Sequence, residues 1–506
     1  MENLQTRLEQ AIADRAQARI ERFQRDRQRA LDEHKRQIRR QKVVTSEFGF
    51  TEPELWSSDA LQNPYFVRSR RKKLAYSTAK SIENRSYAPK RPIKFAVPKP
   101  DGKQREVAAF NIVDEAISHA LLKSITRKNL QRLSTHSYAY LPDRGPFDAL
   151  ARIKSEWRGK NRLYIAEFDF KDYFASIDHR ALLSAMDSVD LLRTPSEEFL
   201  VNRFLETMTS REARGVVQGT SISVLLANVA ALNLDRGLES LGVGYVRYAD
   251  DTLVWGSSYQ GVADAAELIY KVAGSIGASI NNLKSPGIRL LVKEPGQPAE
   301  VASTNEVVFL GHSLGIERTK LSEKSIGKIK SSIHRIIYQN LLREPLRGNQ
   351  NPDRLSSMDK DYVSCIWGLR RYIYGNLSEK ELRRLGSGSF PDGRTLCGVV
   401  AYYPLADDVA QWKSLDHWMN SQIRLALEKR LKLLPPEAAN LEPYGSLKSG
   451  DLNRLSNLQH PASNGQMVDL RIPSFTHMSG LVRFAVQQHG FGILRGGAGK
   501  YLYDIE

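Results

Sequence analysis

Only two cysteines, Cys365 and Cys397, occur in 506 residues. That excludes a disulfide framework and a CxxC-type zinc cluster, and both read as ordinary reduced thiols. Long apolar runs are missing too. The longest, around Val224 to Leu234, is interrupted by Asn228 and is too short to cross a bilayer, in keeping with a mean hydropathy of −0.42. The opening MENLQTRLEQ has no apolar signal-peptide core, so a cytoplasmic protein without a membrane span is expected. Acidic residues are in deficit: 57 against 74 Lys and Arg, a formal charge of +17 and a pI near 9.6. A field of that sign attracts polyanions, nucleic acid first and an anionic membrane surface second. The length exceeds what one hydrophobic core usually supports and predicts two to four subdomains.

Residues 1–44 hold twelve Lys or Arg, seven Asp or Glu and no Pro or Gly. Sparse apolar residues at Leu4, Leu8, Ile12, Ile20 and Phe23 predict one long helix with a stripe too thin for a large core. Such a helix could pair with another helix, lie along RNA or be solvated. A basic cluster at 68–73 precedes a predicted hairpin, with Ile93, Phe95 and Val97 alternating before the Pro-Asp-Gly turn at 100–102, and Lys99, Lys103 and Arg105 beside it. A helix is predicted over 111–133. Strands and helices then alternate from 163 to 316: a strand at 163–170, helices at 179–188, 195–209, 220–240 and 260–275, a hairpin at 244–256, and short strands near 288 and 307. An α+β sheet layered on helices is the natural packing. From 324 onward Ile326, Ile329, Ile333, Ile337 and Leu341 recur at helical spacing, and a helical domain runs to the break at Pro435-Pro436.

In LYIAEFDFKDYFASIDH, Tyr164, Ala166, Phe168 and Phe170 share one strand face, leaving Asp169 at the strand's end on the other. YVRYADDTLVW places Asp250 and Asp251 in a tight turn between two β-prone arms. By itself an Asp-Asp turn is usually just solvated; a second pair, Asp407-Asp408, lies inside the predicted helical domain and receives no catalytic role. If the strands carrying Asp169 and the 250/251 turn are neighbours, three carboxylates converge, which requires a metal or a lysine. Two Mg²⁺ ions about 3.5 to 4 Å apart would then suit phosphoryl transfer onto a primer 3′-hydroxyl.

These residues carry a resemblance to bacterial reverse transcriptases, of the group II intron and retron kind. YADD at 248–251 matches the family's [YF]xDD signature, and FDFKDYFASIDH at 168–179 resembles its first catalytic motif. The resemblance implies Asp169, Asp250 and Asp251 as catalytic residues. It implies the same three, with Phe170, as holders of two Mg²⁺ ions for which Mn²⁺ substitutes. Phe174 would pack under the sugar and exclude a 2′-hydroxyl, although a plain core phenylalanine is the alternative. GVVQGTSISVLLANVAALNLD at 215–235 resembles the PQGxxxSPxLxN motif, placing Gln218 and Gly219 at the nucleotide, but Val217 and Val224 stand where prolines are usual. IGASINNLKSPGI points to Lys284 as a charge stabiliser or proton donor. VVFLGHSLG resembles the primer grip, with Phe309, Leu310 and Gly311, and VPKPDGKQR resembles the fingers loop, with Lys99 and Arg105 on the triphosphate. SYAYLPDRGPFDAL at 137–150 is similar to an RNA-template segment.

The fold implied is a right-hand polymerase of the α+β class: an N-terminal helical extension (1–62), fingers (63–162), palm with an antiparallel sheet and part of the fingers (163–316), helical thumb (317–436) and a small C-terminal extension (437–506). The activity implied is RNA-directed DNA polymerisation from deoxynucleoside triphosphates on an RNA template, with a DNA product. The charged N-terminal helix, the altered second motif and the unassigned tail further resemble the defence-associated reverse transcriptases, which implies a cognate noncoding RNA, a role against phage, and self-assembly as a homo-oligomer through the N-terminal helix. The competing expectations are an RNA-binding, maturase-like scaffold without polymerase activity and an RNA-synthesising polymerase. Tyr501 and Tyr503 could in principle prime synthesis, with packing tyrosines the preferred reading.

Overall fold

A computed structural model of the chain describes residues 2–44, 47–98, 102, 104–208, 213–294, 299–355, 359–375, 377–389, 394–440, 459–461 and 467–494. The described residues divide into two compact units, one of 2–29 and 50–304 and one of 30–49 and 305–494. The architecture is α+β, as expected. Among the described residues no helix is long and apolar enough to cross a membrane.

The first unit opens with α1 (Glu2–Arg40), whose C-terminal end belongs to the second unit. Here the expectation of a stripe too thin for burial is overturned. Leu8, Ile12, Ala16 and Ile20 are at most 5% exposed, and Leu8, Ile12 and Ala16 join the main core. The stripe is narrow, but it is covered by the chain's own helices, and Arg15 and Arg19 beside it pair with Glu115.

Helix α2 (Pro64–Glu83) starts where the Asn63 side chain accepts from the amides of Tyr65 and Phe66, with Pro64 in the first turn. The hairpin of β1 (Ile93–Pro98) and β2 (Gln104–Ala109) follows in the predicted place. Helix α3 (Ile112–Asn129) is capped by Asn111, and α4 covers Pro146–Trp157. Next come β3 (Arg162–Lys171), α5 (His179–Ser188) capped by Asp178, and α6 (Pro195–Met208). The single helix expected over 220–240 is instead two, α7 (Ser221–Ala230) and α8 (Leu232–Ser240), because Ala231 leaves helical geometry at φ −89° and ψ 1°. After these come β4 (Gly244–Tyr248) and β5 (Asp251–Gly256), then α9 (Tyr259–Ser275). Strands β6 (Ser279–Ile280), β7 (Ile288–Val292) and β8 (Ser303–Thr304) complete the unit.

The sheet order is β4-β5-β3-β7-β8, with β6 pairing the far end of β3. All its pairings are antiparallel except β7 with β8. Strand β3 is central. Tyr164, Ala166, Phe168 and Phe170 all enter the core, as their alternation predicts. Both sheet faces are apolar along the first half of the strand, where Leu163 and Ile165 are buried as well.

The second unit holds a small sheet of β9 (Val307–Phe309), β10 (His312–Leu314) and β11 (Thr319–Leu321). Its helices include α10 (Glu323–Ile337), α11 (Lys360–Tyr374), α12 (Glu379–Gly386), α13 (Val409–Leu433) and α14 (Phe475–His489). Ile326, Ile329, Ile333 and Ile337 form the buried stripe of α10. A π-helical turn follows at Tyr338–Leu342, and Arg40 at the end of α1 donates to the Gln339 carbonyl there. Arg430 is fully buried and paired with Asp359 and Asp361, so the helices are locked by charge as well as by apolar contact.

Candidate polymerase site

Three acids come together at one end of the first unit's sheet. In the register of β3 and β5, Asp169 stands opposite Asp251. In the hairpin of β4 and β5, Tyr248 stands opposite Asp251, so Ala249 and Asp250 make a two-residue turn. Ala249 has φ +57° while Asp250 does not, the pattern of a type II′ turn, whose twist suits a hairpin. An alanine in that region costs about 1–2 kcal/mol. Such strain is concentrated where a side chain must be aimed.

The carboxylates perturb one another. Burial, then Asp250 and Asp169, push the Asp251 carboxyl up to about 7. Burial also raises Asp250, and Asp169 adds to it, while Lys284 and Arg105 favour the ionised form. Asp169 is held by its neighbours: Lys284 Nζ lies 3.1 and 3.0 Å from its two oxygens, Asn281 Nδ2 donates to Oδ2 at 3.0 Å, and its amide donates to Ser285 Oγ at 3.2 Å. The hydrogen bond to Asp169 holds Lys284 in its charged form.

Among the described residues, no three His, Cys, Asp or Glu side chains already close around a point as a finished metal shell. The donor set nonetheless suits a hard divalent cation. It offers carboxylate oxygens only, with two acids in cross-strand register and the third on the adjoining turn. Asp250 and Asp251 are raised by burial first and by like charge second, and a bound cation relieves both.

The other predicted residues fall as follows. Phe170 is buried and pairs with Ile280 in the register of β3 and β6. Phe174 is 7% exposed and edge-on to Tyr173. The Gln218 carbonyl accepts from Ala108 at 2.8 Å, tying this loop to β2, and Gly219 has φ +109°, a conformation that favours glycine. Thr220 then caps α7 through Ser223, so the helix starts cleanly without the usual prolines. Arg105 is exposed on β2, opposite Val97. Lys99, like Lys103, Tyr501 and Tyr503, lies outside the described residues. Phe309 ends β9 opposite His312, and Leu310 and Gly311 form the two-residue turn to β10 in the second unit, with Leu310 at φ +46° and Gly311 at φ +77°. Phe309 itself is buried.

Sequence reasoning passed over Asn281 and Ser285, which bond Asp169, and Arg247, which lies under the turn. The polar run around Lys284 was a usable sign of the first two. A lone arginine inside the apolar YVRY was the sign of the third.

Residues 97–314 match the family described as reverse transcriptase (RNA-dependent DNA polymerase). The matched segment contains all three acids and the sheet that carries them. The segment 97–314 thus reads as a reverse transcriptase domain, and domains of this family generally use divalent metal ions. No curated protein matches the chain. Among solved structures it is similar to telomerase from Candida albicans in complex with a TWJ fragment of telomeric RNA, at 12% identity over 76% of this chain and 69% of that one, with a TM-score of 0.39. It is likewise similar to Candida tropicalis telomerase in complex with such a fragment, at 12% identity over 74% and 67%, with a TM-score of 0.37. A truncated apo telomerase from Candida tropicalis aligns at 12% identity over 46% of this chain, which spans about half (55%) of its length, with a TM-score of 0.35.

Proposed function

We propose that the chain extends a primer with deoxynucleotides by two-metal phosphoryl transfer, with Asp169, Asp250 and Asp251 as the metal-holding catalytic residues. The observation that carries this reading is the register of Asp169 opposite Asp251, with Asp250 on the adjoining turn. Two Mg²⁺ ions, for which Mn²⁺ substitutes, would supply charge neutralisation at the phosphate and activation of the 3′-hydroxyl when bound. The Phe170 carbonyl is a further candidate ligand. Lys284, its Nζ 3.0 Å from Asp169, is the cation positioned to balance the acids and to pass a proton toward the leaving group. Arg105 and Lys99 are assigned to the triphosphate, Gln218 and Gly219 to the nucleotide, and Phe309, Leu310 and Gly311 to the primer end.

In this reading 63–162 serve as fingers, 163–316 as palm and 317–436 as thumb, with extensions at 1–62 and 437–506. Phe174 is the sugar gate: a buried aromatic leaves no room for a 2′-hydroxyl. Its replacement by valine is expected to raise ribonucleotide incorporation relative to deoxynucleotide while leaving DNA synthesis measurable. The divergent 215–235 segment and the charged N-terminal helix support a further step, that a cognate noncoding RNA is the template and that the enzyme works inside the cell against phage.

The test is incubation of purified protein with Mg²⁺, primed RNA and either deoxy- or ribonucleotides. DNA synthesis that Asp250→Ala abolishes is expected. No incorporation would leave the scaffold reading, and a preference for ribonucleotides would overturn the assignment of Phe174. Sequencing of nucleic acid copurified from cells, with plaque counts for the Asp250→Ala strain, tests the template and the defence role.

A further inference from the structure

Arg247 is an anomaly in its strand. It lies in β4 between Val246 and Tyr248, it is 1% exposed, and its partner Asp235 on α8 is fully buried. A guanidinium has five N–H donors, and here all five are matched. Nε and Nη2 donate to the two Asp235 oxygens at 2.7 and 2.6 Å. Nη2 donates to Ser137 Oγ at 2.9 Å. Nη1 reaches Asn228 Oδ1 on α7 at 3.4 Å and the carbonyl of Ala249 at 3.0 Å.

The last contact is the informative one. Ala249 is the left-handed residue that turns the chain into Asp250, and its carbonyl belongs to the peptide that joins it to Asp250. A charged donor on that oxygen fixes the plane from which Asp250 projects. The backbone of Arg247 is pinned as well: its amide donates to His136 O and its carbonyl accepts from Tyr138, both at 2.9 Å. Asn228 closes the circuit by donating to Ala139 O at 2.8 Å. One side chain thus joins the acid-bearing turn to the 136–139 segment, α7 and α8. A lone structural ion pair would need only Asp235; apolar residues of similar volume often serve stability equally well.

We infer that Arg247 is a positioning residue for polymerisation: anchored by Asp235, Asn228 and Ser137, it holds the Ala249–Asp250 peptide so that Asp250 and Asp251 face Asp169. This rests on the proposed metal-holding role of the acids. It adds that the turn does not keep its aim unaided.

Two variants separate positioning from stability. Arg247→Lys keeps a cation for Asp235 but has three donors in place of five and no planar fork, so it cannot serve Asp235, Asn228 and the Ala249 carbonyl together. The double variant Asp235→Leu with Arg247→Met removes both charges at once, avoiding an unpaired buried ion. Each would be measured for melting temperature, primer–template affinity, kcat of single-nucleotide addition, and Mn²⁺ binding by electron paramagnetic resonance without nucleotide. The expected result for the folded variants is a kcat lower by about 10- to 100-fold, as for partners that orient metal ligands, with weaker Mn²⁺ binding and unchanged primer–template affinity. Wild-type kcat and Mn²⁺ affinity in Arg247→Lys, or in a folded double variant, would overturn the inference. Should the double variant not fold, Arg247→Lys decides alone. Absence of synthesis by the wild-type protein would sink the proposed function instead, so the two failures are distinguishable.

Discussion

The chain writes Ala-Asp-Asp twice, at 249–251 and at 406–408, and the two copies do different work. At 406–408 the acids are absorbed by backbone. Asp407 accepts from the amide of Thr319 at 2.8 Å and its own amide donates back to the Thr319 carbonyl, while Asp408 caps α13 by accepting from Gln411 at 3.0 Å. At 249–251 the pair sits on a hairpin turn against a third acid, and burial and like charge raise both carboxyls. A dipeptide becomes a candidate site when its environment leaves negative charge uncompensated. Where each carboxylate already has a backbone donor, the same dipeptide is a piece of scaffold.

Substitutions at the two copies test that contrast. Asp250→Ala is expected to remove at least the ~10²–10³-fold that a single electrostatic stabiliser contributes, read as primer extension in a protein that still melts cooperatively. Proton competition probes the same charge without a substitution. With Asp251 at about 7, the carboxyl binds a proton as pH falls through that value, and a metal must displace it. The half-saturating Mn²⁺ concentration should therefore rise up to ~10-fold per pH unit below 7 and level off above it, measured by titration between pH 6 and 8. Flat behaviour would mean that the acids do not share the charge as the geometry indicates. Asn281→Ala, which takes away one of the donors that orient Asp169, should lower kcat by about 10- to 100-fold with primer–template affinity intact. The smallest effect belongs to the second copy. Asp408→Ala should cost about 1 kcal/mol of stability through the lost cap, seen in chemical denaturation, and leave kcat unchanged.

Local chemistry accounts for where several helices begin. Helices starting after Asn63, Asn111, Asp178, Ser258 and Ser322 do so because each side chain caps amides two or three residues on, a contact confined to neighbours in sequence. The β4–β5 turn was equally plain, since two β-prone arms flank it. The N-terminal helix shows the limit. Its period was correct, but a stripe seen in isolation does not reveal what covers it, and Leu8, Ile12 and Ala16 proved to be core. The break at Ala231 was likewise hidden, for no Gly or Pro marks it. Asn281, Ser285 and Arg247 were missed because their roles depend on partners in other strands and helices.

Taken alone, the sequence determined the charge sign, the element types from β3 to β5, and which three acids to consider as candidates, because periodicity and turn geometry act over a few residues. Only the tertiary structure decided that Asp169 faces Asp251, that Asn281 and Lys284 reach Asp169, and that a buried arginine supports the turn. Strand register and the matching of a buried charge are settled by long-range packing, where each contact depends on segments tens of residues away.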